Sequence, residues 1–194
     1  MKLRSLALFL AVALASAAAH AQTGVYLAFD AQQFTQKGVT GTSIERPWVL
    51  GPEYGIYYNI THLPGLGKLH TGPVVLGIDG RGDTLRDSEF GSQLDRQDGL
   101  ISLRVAAKDK YMGVIPYVEA GFGIGHTRIP FAAHYSNNFI YQGGIGVDRK
   151  IRGRLDWRIM EADFGSLGSY VVGTGTNQSN YMITLTSGLV FRIH

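Results

Sequence analysis

The sequence predicts an all-β protein, an antiparallel up-and-down transmembrane β-barrel of about eight strands. Three observations support this fold. The chain begins with an export signal, no long apolar run follows that signal, and the remaining sequence alternates repeatedly between apolar and polar residues with a period of two. A closed barrel crosses lipid without helices because every backbone group bonds to a neighbouring strand.

Residues 1–21 have the three parts of a signal peptide. Lys2 and Arg4 form a basic start, an apolar stretch covers residues 6–19, and Ala19-His20-Ala21 fits the cleavage rule. The apolar stretch is too short to span a bilayer comfortably, which takes roughly 20 residues. We therefore expect cleavage before Gln22 and a single domain over residues 22–194.

Composition excludes several classes of function. Without Lys2 and Arg4, 16 basic side chains face 15 acidic ones, so no excess charge favours nucleic acid. The chain has no cysteine, which excludes disulfides and thiol chemistry. His62, His70, His126 and His134 have no compact metal-ligand spacing, and no glycine-rich segment precedes a helix. We expect no metal and no cofactor.

Alternation is clearest in residues 180–193, where Tyr181, Ile183 and Leu185 share one face while Met182 and Thr184 share the other. A strand with lipid on one side and a polar lumen on the other requires this period. The same pattern recurs in seven earlier segments, namely residues 25–32, 53–60, 74–81, 101–106, 117–124, 139–148 and 155–164.

The seventh of these segments breaks the period. Leu155, Trp157 and Ile159 share a face, but Met160 and Phe164 then continue the apolar set on the other parity. One extra residue in a β-bulge near Ile159 and Met160 would restore the inside-outside order.

The connections are expected to alternate in length, with the N-terminus in the periplasm and the longer loops outside the cell. The longer polar loops are predicted at residues 37–50, 84–98, 128–137 and 165–179, and the short turns at 107–113 and 149–153. The connection at residues 61–72 is intermediate in length. Aromatic residues form two belts at headgroup level. The outer belt contains Phe34, Trp48, Phe139 and Tyr181, and the periplasmic belt contains Tyr58, Trp157 and Phe191.

Charged residues on the inward faces predict a polar network in the lumen. A barrel of about eight strands is just wide enough to be filled by side chains, and buried charges must be paired. An interlocking plug of ion pairs is the structural interpretation, and a narrow gated ion path is the alternative. The network contains Asp30, Glu53, Asp79, Arg81, Arg104, Glu119, Asp148, Glu161, Asp163 and Arg192.

The C-terminal run of residues 184–193 resembles the assembly signal of outer-membrane barrels, with Thr186, Gly188, Phe191 and Ile193 at its key positions. The departures are isoleucine at the last position and the extra His194. The resemblance implies recognition by the barrel-assembly machinery. Residues 22–194 as a whole look like the small outer-membrane β-barrel superfamily that includes the transmembrane domain of outer-membrane protein A.

A second resemblance covers the C-terminal half. Residues 115–124 look like strand five of the outer-membrane lipid A deacylases, which use serine and histidine in a His-x-Ser-Asn motif with an acidic residue. This chain contains His134-Tyr135-Ser136-Asn137, but the alignment puts the family's motif at Glu161-Ala162-Asp163. The resemblance implies the fold and does not transfer the activity.

Two functions remain open at this point. The first is a non-enzymatic, monomeric barrel in outer-membrane lipid, with a structural role in the envelope or an unidentified partner bound by its loops, most naturally by residues 84–98. The second is a lipid A-modifying hydrolase with His134, Ser136 and Glu161 at the outer rim. A soluble lipocalin-like barrel would need polar outward faces, and here those faces are apolar.

Overall fold

The computed structural model describes residues 23–37, 43–45, 48–62, 74–87, 94–107, 112–129, 134–169 and 179–193. The predicted signal peptide lies outside these ranges, and its cleavage stays a prediction. Nine strands are present in the described part of the chain. In order they are β1 Thr23–Lys37, β2 Ser43–Glu45, β3 Val49–His62, β4 Val74–Asp87, β5 Leu94–Ala107, β6 Val114–Ile129, β7 His134–Arg152, β8 Leu155–Ser169 and β9 Ser179–Arg192.

Eight long strands close into an antiparallel barrel, which confirms the predicted fold. β1 and β3 to β9 follow one another around the sheet in chain order, and β9 pairs with β1 to complete the circle. The closing ladder runs from Gly24 opposite Arg192 to Thr35 opposite Tyr181. The short β2 pairs only with the end of β1. Across the described ranges, no helix combines the length and apolarity needed to cross a bilayer.

The two ends of the barrel differ. One end, called here the turn end, holds the start of β1, the end of β9 and the two-residue connection of β7 to β8 at Gly153 and Arg154. Gly153 has a φ of 54°, which a residue with a side chain rarely adopts, so the tight turn depends on glycine there. The opposite end, called the loop end, holds the connections after β1, β4, β6 and β8.

The outer wall of the barrel is apolar and accessible. Leu27 is 64% exposed, Phe164 62% and Ile124 71%, and the other outward positions of the strands carry similar side chains. Where the side chains are described, the alternating faces predicted from the sequence are confirmed along the eight segments, with one exception. Val74, at the first position of β4, is buried although its parity places it on the outward face.

A β-bulge interrupts β8 as predicted. Val147 of β7 pairs with Met160, whereas the next residue, Asp148, pairs with Arg158. The ladder to β9 shifts between Arg158 and Glu161 as well. The extra residue lets Arg158 and Glu161 both point into the barrel although their spacing has the wrong parity for a regular strand.

The predicted loops are wrong in their bounds, because the strands are longer than the alternation showed. Residues 84–87 belong to β4 and 94–98 to β5, so the predicted contact loop of residues 84–98 is mostly strand. At the other end β7 continues to Arg152. Beyond the lipid both faces of a strand are polar, and the period of two disappears from the sequence although the backbone ladder continues.

The apolar wall generates a prediction about depth. Leu103 is 57% exposed near the middle of β5, and Gln97 is exposed on the same face nearer the loop end. We expect Leu103→Arg to lower the free energy of unfolding in lipid vesicles by about 2–4 kcal/mol, and Gln97→Arg by at most about 1 kcal/mol. Urea titration of both variants measures this, and equal losses would contradict a bilayer centred on Leu103.

Candidate functional site in the barrel lumen

Apolar residues close the lumen at the loop end. Seven inward side chains form one buried cluster there, called the apolar layer, and its members are Phe34, Val49, Leu85, Leu100, Ile140, Leu167 and Met182. Phe34 was predicted in the outer aromatic belt, but it is only 6% exposed and belongs to this layer. It has the same parity as Asp30 and Gln32, which also point inward. Trp48, Phe139 and Tyr181 do lie exposed on the wall near the loop end.

Arg81 is the centre of the ionic part of the lumen. Its guanidinium forms salt bridges with Glu119 and Glu161. The same group lies 3.4 Å from Asp163 Oδ2 and 3.8 Å from Glu53 Oε2. The four carboxylates come from three strands, β3, β6 and β8, so a single cation joins separate parts of the wall. Buried charges at this depth are stable only with partners of opposite sign.

Arg158 is a second buried cation, one that is not among the charges predicted for the lumen. Its Nη1 lies 3.0 Å from Glu161 Oε2 and 3.6 Å from Glu53 Oε1, and the side chain is fully buried. The guanidinium also lies over the Tyr26 ring at 4.1 Å. The parity of the exposed Trp157 was the available signal, since its neighbour Arg158 must then point inward.

Nearer the turn end, Arg104 pairs with Asp148 at 2.8 Å, and its guanidinium lies 3.9 Å from the centre of the Tyr117 ring. Glycine makes room for that ring, because a Cβ at Gly146 would lie 2.1 Å from it. Arg192 pairs with Asp156, a buried carboxylate that the sequence analysis also omitted.

Some inward carboxylates are held by neutral donors. The Tyr26 hydroxyl donates to Asp79 at 2.8 Å, and the Thr186 hydroxyl donates to Asp30. Such donors are needed because ten Asp and Glu side chains but only four Arg side chains are buried in the described part of the barrel. Thr186 therefore has a bond in the lumen, while Phe191 and Ile193 are exposed on the wall. The assembly signal itself stays a prediction.

Three more buried charges lie beside the apolar layer, since Arg96 is directly opposite Leu85 in the ladder between β4 and β5. They were predicted as loop or left out of the network. Arg96 pairs with Asp98 at 2.7 Å, and its guanidinium lies 4.6 Å from the centre of the Phe34 ring. Asp83 accepts a bond from Gln32 at 3.4 Å. Arg96 and Asp98 were not predicted because residues 95–98 are polar on both faces of the strand, so no alternation marks them.

Three carboxylates have the geometry of a metal site, but a cation is already present. Glu119, Glu161 and Asp163 offer oxygens that all lie within 4.8 Å of one another. The Arg81 guanidinium contacts all three, so it takes the position and the charge that a metal ion would supply. The arrangement is that of a structural plug.

The hydrolase constellation does not assemble. Glu161 is fully buried in the lumen and pairs in register with Gly146 of β7, whereas His134 is the first residue of the same strand. At about 3.3 Å per residue, Glu161 and His134 are about 40 Å apart along the barrel, far beyond hydrogen-bond reach. The tetrapeptide begins β7 and is not the loop we expected. The side chains of His134 and Ser136 lie outside the described residues.

A groove on the outer wall is the second feature near the loop end. Its volume is about 550 Å³, and Gln97, His126 and Asn137 contribute exposed polar side chains. Asp83 and Asp98 also line it, but their side chains are buried. His126 Nδ1 and Asn137 Oδ1 are 2.7 Å apart. Gly99 has no atom within 4 Å of the position of a Cβ, which leaves the groove open at that point.

Comparison with known proteins supports the fold. No protein-family model matches the chain, and no curated protein matches it. The crystal structure of Neisserial surface protein A matches with a TM-score of 0.57 at 15% identity, covering 86% of this chain and 96% of that one. Ail, the attachment invasion locus protein of Yersinia pestis, matches with a TM-score of 0.45 at 12% identity, covering 88% and 98%. The outer membrane enzyme PagL matches with a TM-score of 0.43 at 12% identity, covering 82% and 97%. The chain has the fold of the small outer-membrane β-barrels.

The central cation generates a prediction about stability. Arg81→Met leaves four buried carboxylates without their shared partner, and we expect it to lower the free energy of unfolding by about 3–5 kcal/mol. Arg86→Met is the control, since Arg86 is 78% exposed in its pair with Asp95, and it should cost at most about 1 kcal/mol. Urea titration in vesicles compares them.

A second change tests the mechanism. Adding Glu119→Gln to Arg81→Met removes a carboxylate whose salt bridge in the described lumen is to Arg81, so the double variant should be more stable than Arg81→Met alone. Additive losses would show that Arg81 contributes by packing and not by charge.

Proposed function

We propose that this protein is a non-enzymatic barrel of the bacterial outer membrane, monomeric and closed to ions. Its role is to support the envelope or to bind a partner at its loop end. The single observation that carries the proposal is the combination of an apolar, accessible wall with a lumen filled by paired charges.

The wall supports membrane insertion. Its exposed large apolar side chains occur on all eight strands of the barrel and form a continuous surface. A soluble monomer rarely exposes an apolar patch beyond a few hundred Å². The lipocalin-like alternative is therefore disfavoured by the same residues that fit a bilayer.

The lumen supports a closed barrel over the gated ion path. Along the axis an ion meets the side chains around Arg104, then those around Arg81, and finally the apolar layer that contains Leu85 and Ile140. Both of these apolar residues are fully buried. An eight-stranded barrel leaves no room beside side chains that fill it.

Orientation supports a binding role for the loop end. The turn end carries the tight connection at Gly153, as the periplasmic side of such barrels does, so the loop end faces outward. The groove with His126 and Asn137 lies near this end and brings exposed amide and imidazole groups together. It is the place where we expect a polar surface ligand to contact the barrel.

A gel of the outer-membrane fraction tests the location. We expect the chain expressed with residues 1–21 to appear in that fraction and to migrate faster unboiled than boiled, because a closed barrel resists detergent. A variant lacking residues 6–19 should stay in the cytoplasm and show no shift. A soluble periplasmic product without a shift would overturn the proposal.

A planar bilayer tests the closed lumen. The purified barrel, inserted and verified by its gel shift, should give no steady conductance steps, because paired charges and the apolar layer fill the path. A general porin in a parallel membrane is the positive control. Reproducible steps from the wild-type chain would favour the gated ion path.

A further inference from the structure

The connection of β7 to β8 is strongly basic. Residues 149–154 read Arg-Lys-Ile-Arg-Gly-Arg and are all exposed. We call this segment the basic turn. Within the ranges that the structure describes, none of its four cationic side chains makes a salt bridge. The adjacent carboxylates are engaged elsewhere, Asp148 by Arg104 and Asp156 by Arg192.

The basic turn projects from the turn end of the barrel. Arg149 is opposite Val114, the first residue of β6, so residues 150–152 continue beyond that neighbouring strand. On the other side, the backbone carbonyl of Arg154 accepts a bond from the amide of Arg192 at 2.8 Å. The two attachments fix the base of the turn while its side chains remain accessible.

The level of the basic turn follows from its neighbours on the wall. Arg149 is directly opposite Trp157, and both side chains are exposed. Trp157 donates from its indole to Ser187 Oγ at 3.3 Å, which holds the ring on the wall. Tryptophan at a strand end marks the interface between hydrocarbon and headgroups. Arg149 therefore lies at headgroup level.

The remaining cations lie from this zone to just beyond its outer edge, within the reach of long Lys and Arg side chains. The headgroup region is about 6 Å deep in each leaflet, and two strand residues span about 6.6 Å. Ile151, two residues after Arg149 on the same face, is 55% exposed, which suits the boundary of a bilayer better than open water. Arg152 is the next residue in the chain, and Arg154 follows after Gly153.

From this geometry we propose that the basic turn binds the phosphate headgroups of anionic phospholipids in the periplasmic leaflet. The inference rests on the proposed insertion of the barrel in a membrane. An acidic periplasmic macromolecule could also bind four cations. Lipid is favoured because Arg149 and Ile151 continue the lipid-facing side of β7, where Ile145 and Val147 precede them.

Tryptophan fluorescence can test this binding directly. The chain has two tryptophans, Trp48 near the loop end and Trp157 beside Arg149. Trp48→Phe leaves Trp157 as the only reporter. The barrel is reconstituted with brominated phosphatidylglycerol or brominated phosphatidylcholine at rising fractions, and quenching gives the relative association constant of the two lipids next to Trp157.

We expect the association constant to favour phosphatidylglycerol by at least about five-fold at low salt, the factor that one cationic residue near an anionic headgroup supplies. The preference should fall with rising salt. It should fall to near unity when Arg149, Lys150, Arg152 and Arg154 are all replaced by Gln. Replacing the three arginines by Lys keeps the charge and should keep the preference.

The controls separate this inference from the proposed function. Trp157→Phe leaves Trp48 as reporter, and its quenching should not change with the Gln variant. If Trp157 is quenched equally by both lipids, or if the Gln variant keeps the preference, the inference is overturned while the membrane barrel stands. If neither lipid quenches Trp157, the chain is not inserted and the proposed function fails as well.

Discussion

Pairing of β9 with β1 imposes the rest of the architecture, because a closed ring of eight strands gives every residue one of two positions, wall or lumen. A strand whose alternation shifted by one residue would turn its inward charged side chains toward the lipid. The bulge at Ile159 and Met160 prevents this in β8, since it lets Trp157 remain on the wall while Arg158 and Glu161 both enter the lumen. A local irregularity is thus a requirement of the closed ring.

The narrow lumen then decides how the inward charges are paired. Carboxylates outnumber arginines there, so Arg81 and Arg158 each serve several carboxylates, and Glu161 in turn is shared by both. Tyrosine rings complete the packing by lying against the guanidinium groups, as Tyr117 does against Arg104. Such a network joins strands that are far apart in the chain, which stabilises the closed form more than any single pair could.

The sequence predicted the wall and the middle of the lumen well because period two is a direct consequence of lipid outside and polar groups inside. It failed where that contrast ends. Phe34 has inward parity but an aromatic side chain, so composition placed it in a belt while the structure places it in the apolar layer. Arg96 and Asp98 lie in a stretch that is polar on both faces, and nothing in the local pattern separates a strand from a loop there. Pairing partners such as Glu161 with two arginines depend on register, which a single sequence does not contain.

The positions of charged side chains with and without salt bridges separate the scaffold of the barrel from the parts available for function. In the middle of the barrel the described charges are directed at one another, and a fully buried Glu161 cannot serve chemistry at the rim. At the ends the situation reverses, since the basic turn exposes four cations without salt bridges and the groove near Gly99 is open. Substitution of the exposed side chains at these ends costs the closed ring little, because they carry no salt bridge between distant strands in the described part of the barrel. The middle of the barrel is therefore constrained by folding, and recognition is left to the two ends of the barrel.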